Sequence, residues 1–227
     1  MIGPFSLACL DLAGTTVRDD GAVEAAFDAA LGAVGIEPGS EREAAARRVV
    51  RDTMGWSKAD VFARLLAPDE AATATAAFAR SYEALLAAGG ASEIPGARDV
   101  MRTLRRRGVA VCLTTGFAPS TRDALLDALG WRSEIDLALS PADVGRGRPA
   151  PDLILGAMAR LGVDDPAAVA VVGDTTSDLE AGARAGAGAV IGVLSGAHDE
   201  AALGAAPHTA LIADVRDLIA VLESADG

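Results

Sequence analysis

Three aspartates stand where apolar runs of the chain end. The run LACL leads into Asp11, followed by Leu12-Ala13-Gly14-Thr15-Thr16, and the run VAVV leads into Gly173-Asp174, with Asp178 four residues further on. If each run is a strand of a parallel sheet, the carboxylates gather at the carboxyl ends of the strands, where open α/β sheets bind their ligands. Carboxylates collected there repel one another unless a cation joins them, and an all-oxygen set with vacant positions suits Mg²⁺. Simpler accounts exist for two of the three. Asp11 fits an ordinary strand-to-helix turn about as well, and Asp178 fits a first-turn helix acid stabilised by the helix dipole. The dipole account does not extend to Asp174.

Two further segments offer positive or hydrogen-bonding groups. VCLTTGF ends an apolar run in Thr114-Thr115-Gly116, where a hydroxyl and free backbone N–H groups make a small anion cradle. In GRGRPAPD, Arg148 precedes Pro149 in an extended loop, from which a fixed guanidinium can neutralise phosphoryl oxygens or a carboxylate. Arg146 competes for that role, and a solvated loop arginine is the plain alternative. One amine also stands out. Of 20 basic residues only Lys58 is a lysine, the other 19 being arginine. Compositional drift toward arginine explains this in part, and a lysine that survives it suits a task needing an amine and not merely a charge.

These residues need elements to hold them. Apolar runs at 5–10, 109–113, 135–139, 168–172 and 189–193 read as strands covered on both faces. Helical patterns at 97–107, 119–129, 152–161, 177–185 and 214–223 alternate with them, and Gly108, Gly130, Gly162 and Gly186 follow the first four as C-terminal stops. The alternation predicts an α/β fold, a doubly wound (Rossmann-like) parallel sheet. Between the first two strands the rhythm breaks. Residues 19–90 read as four helices, at 22–34, 41–51, 58–66 and 69–88, forming a small helical domain inserted into a core made of 1–18 and 91–227.

Length, charge and cysteine usage bound the rest. A chain of 227 residues, 51% hydrophobic, buries a sizeable core without disulfide or metal staples. A net charge of −12 argues against nucleic acid or an anionic membrane as partner, so any anion must be held by a local device. No apolar run approaches a membrane span, and the first residues lack the basic region and cleavage site of a signal peptide. Cys9 and Cys112 each lie inside an apolar run and read as buried thiols. These features give the expectation of a cytoplasmic protein. His198 and His208 fall in loop-like sequence and are expected at the surface.

Taken in order, Asp11, the helical insertion, Thr115, Arg148 and the Asp174–Asp178 pair resemble the haloacid dehalogenase (HAD) superfamily across the whole chain. The resemblance implies that Asp11 attacks phosphorus to give an aspartyl-phosphate. It implies Mg²⁺ held by Asp11, the Ala13 carbonyl and Asp174 with Asp178 in support, and phosphoryl oxygens bound by Thr115, Gly116 and Arg148. It further implies that the insertion is a cap over the site, through which a homodimer can form. The common pattern in these phosphatases is D-x-D-x-T, whose second aspartate protonates a leaving alkoxide. Here that position is Ala13.

The D-x-A-G-T version resembles the phosphonatase branch, which cleaves the P–C bond of phosphonoacetaldehyde. A carbon leaving group needs an electron sink and not an oxygen acid, and a lysine imine supplies it. That branch carries the lysine in M-G-x-x-K, matched here by Met54-Gly55-Trp56-Ser57-Lys58, with Met54 expected to pack beside the amine on one helical face. The chain departs from the branch at Gly21, Val61 and Phe117, which stand where it has cysteine, histidine and tyrosine. The implied substrate is therefore phosphonoacetaldehyde or a related carbonyl phosphonate. A phosphatase acting on a small phosphate ester or acyl phosphate is the alternative. A metal-free haloacid dehalogenase and a non-catalytic binding protein of the same fold fit less well, because the acidic cluster is intact.

Overall fold

The computed structural model describes residues 5–224. The chain runs β1 (Leu7–Asp11), α1 (Ala22–Ala33), α2 (Glu41–Asp52), α3 (Lys58–Leu65), α4 (Pro68–Ala87) and α5 (Ala97–Arg106). It continues through β2 (Ala110–Thr114), α6 (Pro119–Leu129), β3 (Leu137–Leu139), α7 (Asp152–Leu161) and β4 (Val169–Gly173). The remaining elements are α8 (Thr176–Ala185), β5 (Ala189–Val193), α9 (Glu200–Ala205), β6 (Ala210–Ile212) and α10 (Leu218–Ser224). The six strands form one parallel sheet in the order β3-β2-β1-β4-β5-β6. The order reverses between β1 and β4, which is the place where loops part and ligands enter such sheets.

The strands contain almost nothing but small and branched apolar residues because helices cover both faces. Along β1, Ala8 and Leu10 pack into one core while Leu7 and Cys9 pack into the other, the period of two that a pleated strand imposes. The first of these cores is continuous with that of the helical insert. Phe27 stacks on Phe62 at 5.6 Å, Phe78 on Tyr82 at 6.0 Å, and Tyr82 meets Phe117, from the loop after β2, at 4.7 Å. Burying a large apolar side chain contributes about 1.5–3 kcal/mol, so this aromatic column anchors the insert to the sheet.

Most expected elements are present, with strand ends moved by one or two residues. Two short elements, α9 and β6, were not anticipated, since runs of six and three residues carry too little periodicity to register. The helix expected at 214–223 begins instead with a 3₁₀ turn at Val215–Asp217, capped by Asp214. Cys9 and Cys112 are both buried and free, and they are register partners on neighbouring strands. The neighbouring Cys9 and burial together push the Cys112 thiol well above its usual range. Among the described residues no helix is long and apolar enough to cross a membrane.

Candidate active site

Strand register assembles the floor of the site. Leu10 pairs with Val172 and Asp11 with Thr114, so Asp11, Asp174 and Thr115 emerge side by side at the carboxyl ends of three neighbouring strands. All three are buried, with Asp11 only 5% exposed. Arg148 reaches into the same space from the loop before α7, next to a cis peptide to Pro149. Its Nη1 donates to Asp11 Oδ1 at 2.6 Å and also to Asp178 Oδ1. Its Nε is buried and has no partner among the described residues, a donor left for an anionic ligand. Arg146, the rival, pairs with Asp152 at the surface.

Asp174 is the most confined of the carboxylates. It accepts from the Ala197 N–H at 2.7 Å and from the Thr15 hydroxyl at 3.3 Å. A Cβ on Gly14 would lie 2.3 Å from its Oδ2, and one on Gly196 would lie 2.0 Å away. Gly14 also holds φ +92°, a conformation that side chains other than glycine's rarely adopt. Burial and the adjacent Asp11 charge push the Asp174 carboxyl up to about 7, the mark of a negative charge short of compensation.

That shortage bears on the metal. Asp11 and Asp174 supply two hard oxygen ligands, and among the described residues nothing donates to the Ala13 carbonyl at the cavity wall. Two carboxylates and a carbonyl, completed by substrate and water, fit Mg²⁺. Asp178 is engaged differently. Its Oδ2 accepts from the Thr175 N–H at 3.1 Å and hydroxyl at 2.6 Å, closing a capping box on α8, and its Oδ1 takes Arg148. Among the described residues no three side chains of aspartate, glutamate, histidine or cysteine group as ligands of one ion, so a metal here relies on two side chains at most.

The insert forms the other side of a cavity of about 700 Å³. Met54, Gly55, Trp56, Lys58 and Val61 line it together with Asp11, Ala13, Thr115, Gly116, Arg148, Asp174 and Asp178. Residues 53–57 form turns and not a helix, because Ser57 caps α3 and makes Lys58 its first residue. Met54 and Lys58 therefore share the cavity without sharing a helical face.

The turn docks closely on the sheet side. The Met54 carbonyl accepts from Ser177 Oγ at 2.8 Å, and the Lys58 N–H donates to the Gly116 carbonyl at 3.3 Å. A Cβ on Gly55 would come within 2.4 Å of Thr175 Oγ1, and one on Gly116 within 2.4 Å of the Trp56 carbonyl. Gly116, singled out as part of an anion cradle, thus has a docking reason to lack a side chain. Thr115 accepts the Phe117 N–H on its hydroxyl oxygen at 3.1 Å, which leaves the hydroxyl hydrogen to donate to a ligand.

Lys58 Nζ lies 5.6 Å from the Phe78 ring centre and 5.8 Å from that of Phe117. No carboxylate pairs with it among the described residues. The residue keeps some exposure, yet burial of its amine, helped by the nearby Arg148 charge, lowers its pKa to about 8. Val61, one turn along α3, lines the cavity where the phosphonatase resemblance has a histidine. Gly21 lines it from the start of α1.

His198 departs from its expected surface role. Its Nδ1 accepts the Thr176 N–H at 3.1 Å at the start of α8, and its backbone N–H donates to the Asp174 carbonyl, so it braces the loop that holds Asp174. His208 is exposed. Asp19, Ser195 and Gly196, which no sequence motif marks, also line the cavity. Only Gly196 carries a sequence signal, as a glycine just past a strand.

With this geometry in place, a family model for haloacid dehalogenase-like hydrolases matches residues 5–186. The chain belongs to the haloacid dehalogenase-like hydrolases. Among curated members it is 34% identical to a probable phosphatase, IndB, of Dickeya dadantii, over 91% of this chain and 88% of that one. It is 33% identical to a phosphonoacetaldehyde hydrolase of Bacteroides fragilis, but over 56% of this chain and 48% of the other, so the match spans about half of each. A hydrolase from Pseudomonas syringae superposes with a TM-score of 0.83 at 26% identity, covering 96% of this chain and 98% of that one.

Proposed function

We propose that this HAD hydrolase cleaves the P–C bond of phosphonoacetaldehyde or a related carbonyl phosphonate. One observation carries the reading: the chain's single lysine shares a cavity with Asp11 and Arg148, with its pKa lowered to about 8, while the position of a leaving-group acid is Ala13. In this reading the helical insert acts as a cap. The neutral Lys58 amine condenses with the carbonyl to form an iminium. Asp11 then attacks phosphorus, and the P–C electron pair moves onto carbon and into the iminium, leaving an enamine and an aspartyl-phosphate. Water hydrolyses both, returning Asp11 and Lys58.

Arg148, through its free Nε, and the Thr115 hydroxyl hold the phosphoryl oxygens in line with Asp11. Asp11, Asp174 and the Ala13 carbonyl would hold Mg²⁺, which when bound offsets the negative charge shared by nucleophile and phosphoryl group.

A second reading has its own support. The probable phosphatase matches nearly the whole chain, whereas the phosphonatase match covers only half. In that case Lys58 serves as a cap cation, and the substrate is a phosphate with a good leaving group. Phosphate release from phosphonoacetaldehyde and from a panel of phosphate esters and acyl phosphates, with Mg²⁺ and with EDTA, separates the two. The P–C reading expects the phosphonate to be preferred, with turnover lost in EDTA and regained with Mg²⁺. Preference for the esters assigns the phosphatase, and full activity in EDTA removes the metal from either scheme.

A further inference from the structure

Imine formation at Lys58 moves protons to and from a carbonyl oxygen, and the amine cannot carry them all. The cavity holds few groups able to help. Asp11, Asp174 and Asp178 are committed to the floor, two of them to Arg148. Glu24, at the rim, is ion-paired with Arg47. Among the described residues no imidazole lines the cavity: His198 braces α8, and Val61 occupies the facing turn of α3. One carboxylate remains. Asp19, in the extended segment joining β1 to the insert, lines the cavity, and its one hydrogen bond among the described residues is from the Val23 N–H to Oδ1 at 3.0 Å. Its Oδ2 is unengaged, it is exposed enough to exchange protons with solvent, and its charge acts on Lys58 across the cavity.

We propose that Asp19 is the acid–base group for imine chemistry at Lys58, an inference that rests on the amine reading above. Lys58 Nζ adds its lone pair to the carbonyl carbon, and the C=O π pair moves onto oxygen. The Asp19 carboxylate relays a proton from nitrogen to that oxygen, giving a neutral carbinolamine. Asp19, reprotonated from solvent, then donates to the hydroxyl. The C–O bond breaks with loss of water, the nitrogen lone pair closes the C=N bond of the iminium, and Asp19 returns to carboxylate. An acid–base group at this position also accounts for the tolerance of Val61 in α3, because the proton carrier sits on the linker instead.

The test is the rate of borohydride trapping of phosphonoacetaldehyde on the full-length protein, followed by mass spectrometry. Asp19→Asn, nearly isosteric, should slow adduct formation at Lys58 by about 10²-fold. Added acetate or formate should restore much of the rate to Asp19→Asn, and Asp19→Glu should trap at close to the wild-type rate. If Asp19→Asn traps as fast as wild type, Asp19 has no proton role while the Lys58 reading stands. A slow Asp19→Asn that neither carboxylic acid restores overturns the proposal in favour of a structural role. If the wild-type protein forms no adduct, the Lys58 reading fails and this inference fails with it.

Discussion

The two walls of the cavity hold their charges in opposite ways. On the sheet side, Asp11, Asp174 and Asp178 stand at or just beyond strand ends, buried and tied to Arg148, backbone amides or a helix cap. On the insert side, Lys58 sits at a helix start over two aromatic rings and, among the described residues, has no ion pair, while Asp19 has one backbone partner among them. A paired, buried wall suits chemistry that is the same for every substrate, namely attack on phosphorus. A loosely held wall built from an insert suits chemistry that depends on what phosphorus is attached to. The contrast teaches where specificity resides: changes on the sheet side should affect all substrates, and changes on the insert side should affect carbonyl phosphonates alone.

The largest effect belongs to the sheet wall. Asp11→Asn should reduce phosphate release from phosphonates and esters alike, on the order of 10⁶-fold, the scale on which losing a nucleophile acts. A steady-state comparison of the two substrate classes checks this, and a loss confined to one class breaks the division of labour. Next comes Ala13→Asp, which supplies the acid that an alkoxide leaving group needs. It should raise ester hydrolysis by about 10²–10⁴-fold while leaving P–C cleavage unchanged or slower. A large gain on the phosphonate would mean that an acid at this position assists P–C cleavage too, against the electron-sink role given to Lys58.

A smaller effect tests the docking between the walls. Gly55 has φ +84°, and a Cβ there would meet Thr175 Oγ1 at 2.4 Å. Gly55→Ala should disturb closure by roughly 1–3 kcal/mol. It should therefore lower kcat/KM for the phosphonate by about tenfold or more with little change in urea midpoint. An equal loss of global stability would make Gly55 a folding residue instead.

The smallest effect is in pH. The Lys58 pKa is lowered to about 8, so the reactive neutral amine grows as pH rises toward 8 and saturates above it. Phosphonate kcat/KM should climb about tenfold per unit below that point and level off above, a limb that ester hydrolysis lacks. The same lowering has a sign for folding. Between about 8 and the ordinary lysine range the unfolded chain binds more protons at this residue, so its contribution to stability rises with pH across that window.

The two walls also differed in how far the sequence revealed them. Asp11, Asp174 and Thr115 were legible because apolar runs end at or next to them, and parallel register then forces them together. Lys58 was legible because it is the single lysine and follows Met54-Gly55. What stayed hidden depends on packing between segments distant in sequence. Gly116 and Gly55 look like turn glycines until the insert is seen pressing on the sheet side. Asp178 has a motif position, but its capping-box bonds and its shared Arg148 follow from how α8 begins. His198 looked like a loop residue because nothing nearby in sequence announces the Thr176 N–H that it accepts. Asp19 was invisible for the same reason, as one acid among 32.

The insert's proposed contribution is an amine and not just a charge. Incubating the protein with phosphonoacetaldehyde and borohydride, then mapping peptides by mass, tests it directly, because Lys58 is the one lysine among the 227 residues. A single reduced adduct is expected on the peptide carrying Lys58, absent from Lys58→Arg, with loss of P–C cleavage in that variant despite the retained positive charge. Undiminished P–C cleavage by Lys58→Arg, with no adduct in the wild-type protein, would contradict it and leave Lys58 as a cation facing the phosphoryl group.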